Sequence, residues 1–135
     1  MMFVDASAMV AILAGEPGNA SLARAIKSAR DPITSALAIF ETASAVARTN
    51  AIPVEAAQTE TDVFLDLAGI RIVPLGDREA RGALVAYSRY GKGRGHAARL
   101  NMGDCFAYAC AQVHDVPLLF VGNDFSRTDI RSAMG

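Results

Sequence analysis

"MFVDASAMVAILAGEPG", residues 2–18, is a short apolar run closed by an acid, Asp5, then an alanine-rich stretch that stops in the turn residues Gly15–Gly18. This pattern predicts a strand leading into a helix, with Ser7 as a candidate helix cap. Further helices and strands follow along the chain. "NASLARAIKSAR" (19–30) predicts a second helix, "PITSA" (32–36) a brief strand, and "LAIFETASAVARTNA" (37–51) another helix. "PVEAAQTETDVFLDLAG" (53–69) has Pro at a helix start and Gly at its end, and "IRIVPL" (70–75) is β-branched and strand-like. "DREARGALVAYSRYG" (77–91) predicts a helix that runs into the loop "GKGRGHAARLNMG" (91–103). A helix at 103–114 and the strand "VPLLFVG" (116–122) follow, leaving "NDFSRTDIRSAMG" (123–135) as a tail free to fray.

Short apolar strands separated by helices, without hairpin turns between them, predict a parallel sheet with right-handed crossovers and helices on both faces. The expected class is α/β, three-layer α/β/α. At 135 residues, with no internal repeat or linker, the chain is expected to form one domain, 1–135. No apolar run approaches the roughly 20 residues that span a bilayer, and the N-terminus lacks a basic start, so a cytoplasmic protein without membrane contact is expected. Cys105 and Cys110, about 140° apart on one predicted helix, cannot bridge and are expected as reduced core residues. The net charge of −1 excludes a uniformly basic nucleic-acid binder but leaves room for a local basic patch, because eleven of the thirteen cationic residues are Arg.

In parallel α/β sheets ligands bind outside the carboxyl ends of the strands, so the acids there carry the chemistry. Of the fourteen carboxylates, Glu55, Glu60, Asp62, Asp77, Glu79 and Asp115 fit solvated faces or helix starts. Asp5 follows the first strand, Asp124 follows the last, and Asp104 begins the helix leading into it. Glu41 has Leu37 and Ala45 at i−4 and i+4 and follows Phe40, so it lies along an apolar stripe and reaches inward. Taken singly, Asp5 and Asp104 also suit helix caps, Asp124 a turn and Glu41 a buried ion pair with an Arg. Taken together in one cleft, each pair about 4 Å apart at an effective dielectric of about 20 would repel by roughly 4 kcal/mol. A hard divalent cation relieves that repulsion, and all-oxygen ligands favour Mg²⁺ or Mn²⁺ over zinc. The chemistry such a site supports most naturally is phosphodiester hydrolysis.

"FVDASA" with Asp5, "IFETASAVAR" with Glu41, "RLNMGDCFAYACA" with Asp104 and "PLLFVGNDFSRTD" with Asp124 together resemble the PIN-domain family, most closely the VapC toxins of bacterial and archaeal toxin–antitoxin pairs. The resemblance covers essentially the whole chain. It implies a PIN-like fold and a Mg²⁺-dependent endoribonuclease toxin, restrained by a VapB-type antitoxin and usually a homodimer. It also implies Asp5 and Asp104 as principal metal ligands, with Glu41 and Asp124 completing the acidic cluster. Ser7 lies near the metal edge in the family pattern. The glycine-rich loop also looks like this subgroup, and its Lys92, Arg94, His96 and Arg99 are candidates for phosphate contacts beside the cleft. The loop follows a helix and lacks GxxxxGK, so it is not a nucleotide loop.

Two rival readings stand beside this one. A receiver-like phosphorylation domain needs an acidic pair after the first strand and a Lys after the last; this chain offers only Asp5, and its lysines are Lys27 and Lys92. A PIN-like module that binds RNA or protein without cutting is opposed by the intact acids. Zinc hydrolysis is disfavoured because His96 and His114 are the only histidines and no HExxH is present.

Overall fold

A computed structural model describes all 135 residues. The chain runs β1 (Met2–Val4), α1 (Ala6–Leu13), α2 (Asn19–Ser28), β2 (Pro32–Ser35), α3 (Ala36–Thr49), α4 (Val54–Ala68), β3 (Arg71–Val73), α5 (Asp77–Tyr90), α6 (Met102–Val113) and β4 (Leu118–Leu119). The four strands form one sheet in the order β3-β2-β1-β4, and every pair is parallel. From β1 the chain winds outward through β2 to β3, then crosses back to lay β4 on the other side of β1. The direction of winding therefore reverses between β1 and β4.

Alternation along β1 separates the two cores, because successive strand side chains point to opposite faces. Met2 and Val4, with Leu119, pack against α1, α2 and α4. Phe3, with Ile33, Val73 and Leu118, packs against α5 and α6. The expected three layers are thus α1–α4, the sheet, and α5–α6. Cys105 and Cys110 are buried and unbridged in the second core, as expected. Pro53 precedes α4, and Gly69 ends it in the left-handed conformation (φ 66°) that glycine adopts without steric cost. No helix is long and apolar enough to cross a membrane.

Three expectations are corrected. The N-cap of α1 is Asp5, whose carboxylate accepts from the Ser7 amide at 3.0 Å; the Ser7 hydroxyl donates to that same carboxylate rather than capping the helix itself. Glu79 is buried rather than solvated: its carboxylate turns back over the first turn of α5 and accepts from the Gly76 amide at 3.2 Å. The tail does not fray. A 3-10 turn, Phe125–Arg127, buries Phe125 against Phe120, and residues 131–133 then run beside β4, with the Leu118 amide donating to Arg131 O and the Ala133 amide to Leu118 O, both at 2.9 Å. Asp129 accepts from the hydroxyls of both Tyr90 and Tyr108. The tail thereby covers the edge of β4 that would otherwise stand unpaired.

Candidate active site

Asp5 sits where β1 ends and α1 begins, 5% exposed. Two groups fix its carboxylate: the Ser7 amide, and the Ser7 hydroxyl, which donates to Oδ2 at 2.6 Å. The same hydroxyl accepts from the Val121 amide at 3.0 Å, just beyond β4. Ser7 therefore fastens the ends of β1 and β4 together across the point where the winding reverses. That is the crevice in which open parallel sheets bind ligands.

Asp104 is the third residue of α6. Its carboxylate accepts from the Asn101 amide at 3.1 Å, while Asn101 Oδ1 accepts from the Asp104 amide at 2.8 Å. This reciprocal box locks the first turn and leaves Asp104 facing the cleft. Glu41, on α3, is half-buried. Its neighbour Phe40 is 71% exposed, so the inward stripe of α3 runs through Glu41 without Phe40.

A cleft of about 500 Å³ brings Asp5, Glu41 and Asp104 together with Ser7, Glu16, Ser44, Arg48 and Val121. Asp124 is exposed at the start of the 3-10 turn and does not line the cleft, but its charge acts on both Asp5 and Asp104. Of the four expected acids, three share the wall and the fourth stands at the rim. Lys92, Arg94 and Arg99 are exposed in the loop between α5 and α6 and are not among the cleft's lining residues. The basic side chain on the wall is Arg48, which sequence reading missed, as it missed Glu16. Arg48 was legible in principle: residues 41, 44, 45 and 48 recur at i, i+3, i+4 and i+7, one face of α3.

Mutual repulsion and burial leave their mark on the acids. Burial chiefly, then the charges of Asp5 and Asp104, push the Glu41 carboxyl up to about 7. Burial also raises Asp104 to about 6, against the favourable Asn101 amide and with the charges of Asp5 and Asp124 adding to the rise. Asp5 is raised by burial despite the hydrogen bonds from Ser7. No set of three or more acids is drawn tightly enough to cage an ion by itself. The wall is nonetheless an all-oxygen donor set with an uncompensated excess of negative charge, and it fits a hard divalent ion that keeps part of its water shell.

Comparison with known proteins bears on the chain as a whole. A family model described as PIN domain matches residues 2–131. The ribonuclease VapC42 of Mycobacterium tuberculosis is 42% identical over 132 residues, which span 98% of this chain and 98% of that protein. A VapC ribonuclease of Rhizobium meliloti is 37% identical over 141 residues, covering 96% of this chain and 99% of that protein. Among solved structures, VapC20 of Mycobacterium tuberculosis, a sarcin–ricin loop cleaving toxin, aligns with a TM-score of 0.75 over 96% of each chain at 16% identity. At that identity the likeness is one of fold.

Proposed function

The chain belongs to the PIN domain family, and on that premise we propose that it is a divalent-metal-dependent endoribonuclease, the toxin of a toxin–antitoxin pair. The carrying observation is the convergence of Asp5, Glu41 and Asp104 on one cleft wall at the carboxyl edge of the sheet. In this reading Asp5 and Asp104 hold Mg²⁺ or Mn²⁺, and Glu41 and Asp124 complete the site directly or through water. Such an ion, when bound there, would polarise a phosphoryl oxygen and ease deprotonation of an attacking water.

The chain's own residues do the positioning. Ser7 holds Asp5 in one orientation, and the Asn101 box holds Asp104, so neither carboxylate has to be ordered when RNA arrives. Arg48 offers a planar, permanently charged donor to a phosphate on the cleft wall. Lys92, Arg94 and Arg99 have no acidic partner within ion-pair distance and meet the RNA backbone outside the cleft.

The whole chain, 1–135, acts as a single catalytic unit in the cytoplasm and is restrained by a VapB-type antitoxin. A second copy of the chain joins it as a homodimer. Support for self-association comes from the apolar groove between α5 and α6, where Leu84, Tyr87 and Met102 are exposed beside Phe106.

The test is cleavage of total RNA by the purified chain with Mg²⁺, with chelator, and by Asp104→Asn with Mg²⁺. Cleavage in the first arm alone is expected. Equal cleavage in all three overturns the metal mechanism, and no cleavage with Mg²⁺ or Mn²⁺ returns the chain to the non-cleaving, binding reading.

A further inference from the structure

Gly103 is the second residue of α6 and is buried. Its backbone is right-handed helical and it is not among the glycines with positive φ, so any residue could adopt its conformation. Glycine is about 1 kcal/mol poorer than alanine in a helix interior. Backbone geometry therefore does not call for glycine at this position.

A Cβ built on Gly103 would lie 1.9 Å from Glu41 Oε2, 2.5 Å from Glu41 Cδ and 2.7 Å from Glu41 Oε1. These are the three nearest atoms, and together they are the whole carboxylate of one side chain. Unbonded heavy atoms rest at about 3.5–4.0 Å, so carboxylate and methyl cannot share the space. The carboxylate is the far end of a flexible side chain, whereas Gly103 belongs to a capped helix. The helix keeps its place and Glu41 gives way. Gly82 shows the contrasting case: a Cβ there would meet Ala109 Cβ at 3.1 Å, a contact between α5 and α6 away from the cleft.

The empty volume at 103 also has electrostatic value. A carboxylate laid against the first turn of α6 meets the positive end of the helix dipole, which offsets part of the repulsion from Asp5 and Asp104.

We propose that Gly103 is a positioning residue, the missing side chain that seats the Glu41 carboxylate against α6 and so completes the acidic wall. The proposal rests on the metal-nuclease reading for its consequence in activity, though not for the placement of Glu41.

The experiment compares the wild type with Gly103→Ala, Glu41→Ala, the double variant and Gly82→Ala. It reads thermal unfolding, Mn²⁺ binding by calorimetry and RNA cleavage, together with crystal structures of the wild type and Gly103→Ala. Gly103→Ala should unfold no lower than the wild type, show Glu41 turned away from α6, and lose about ten- to a hundredfold in Mn²⁺ affinity and cleavage. In the Glu41→Ala background the same substitution should change neither quantity, and Gly82→Ala should leave Mn²⁺ affinity unaltered. Glu41 staying in place in Gly103→Ala overturns the proposal, as does an undiminished effect of Gly103→Ala when Glu41 is absent. If the wild type cleaves no RNA with any divalent ion, the functional reading fails by itself, and the crystallographic position of Glu41 in the two proteins still decides whether Gly103 seats it.

Discussion

Two residues show how one side chain serves both fold and site. Asp5 caps α1 and faces the cleft; Asp104 closes a capping box and faces the same cleft. A first-turn carboxylate gains from the helix dipole without surrendering its second oxygen. Glu41 lies against the same helix end but its carboxylate accepts no hydrogen bond, and its charge is resisted chiefly by burial and then by its two acidic neighbours. The linkage has a definite sign. With carboxyls raised from 4.5 to about 7 at Glu41 and from 3.8 to about 6 at Asp104, the folded chain binds more protons than the unfolded chain across that window. The stability these groups lend is full below the unfolded values and is lost as pH rises through 6 to 7. Partial exposure of Glu41 lets solvent screen the effect and reduces its size without changing its sign. Glu41→Gln should therefore melt higher than the wild type in chelator above about pH 7. Scanning calorimetry reads the difference, and a lower melting temperature would contradict an uncompensated Glu41.

Among the elements, the C-terminal tail departs furthest from expectation. "NDFSRTDIRSAMG" has the polar, glycine-flanked composition of a loose end, yet Phe125, 3% exposed, and the two tyrosine hydroxyls on Asp129 hold it down. Holding it down matters to the site because Asp124 immediately precedes Phe125. Phe125→Ala should cost about 3 kcal/mol of stability through the cavity it leaves, measured by denaturant unfolding. It should also speed hydrogen exchange at the Leu118 and Ala133 amides, which are bonded along this tail. Unchanged exchange there would mean that the tail is held by other contacts.

For the whole molecule, the reversal between β1 and β4 puts repelling acids in one crevice, and on the proposed reading a divalent ion would bind there in the folded state only. Mg²⁺ or Mn²⁺ at a hundred times its dissociation constant should stabilise the chain by about 2.7 kcal/mol. Protons compete for the same carboxylates, so the ion-induced rise in melting temperature should shrink as pH falls from about 7 to below about 6. Thermal titrations at both ends of that range check this; a rise independent of pH would place the ion away from Glu41 and Asp104.

Period and punctuation in the sequence determined the elements, because strand and helix patterns are local: apolar runs ending in acids, Pro53 before α4, Gly69 after it. The same logic puts Asp5, Asp104 and Asp124 near the carboxyl ends of parallel strands, whereas Glu41 stands out by its place on an apolar helical stripe. What only the tertiary structure decided depends on distance through space between residues far apart in the chain. Ser7 bridges to Val121 across 114 positions, Arg48 rather than the loop cations lines the cleft, and Asp124 stays at the rim. Gly103 could have been read as an ordinary helix-start glycine until the Glu41 carboxylate was seen occupying the space its side chain would need.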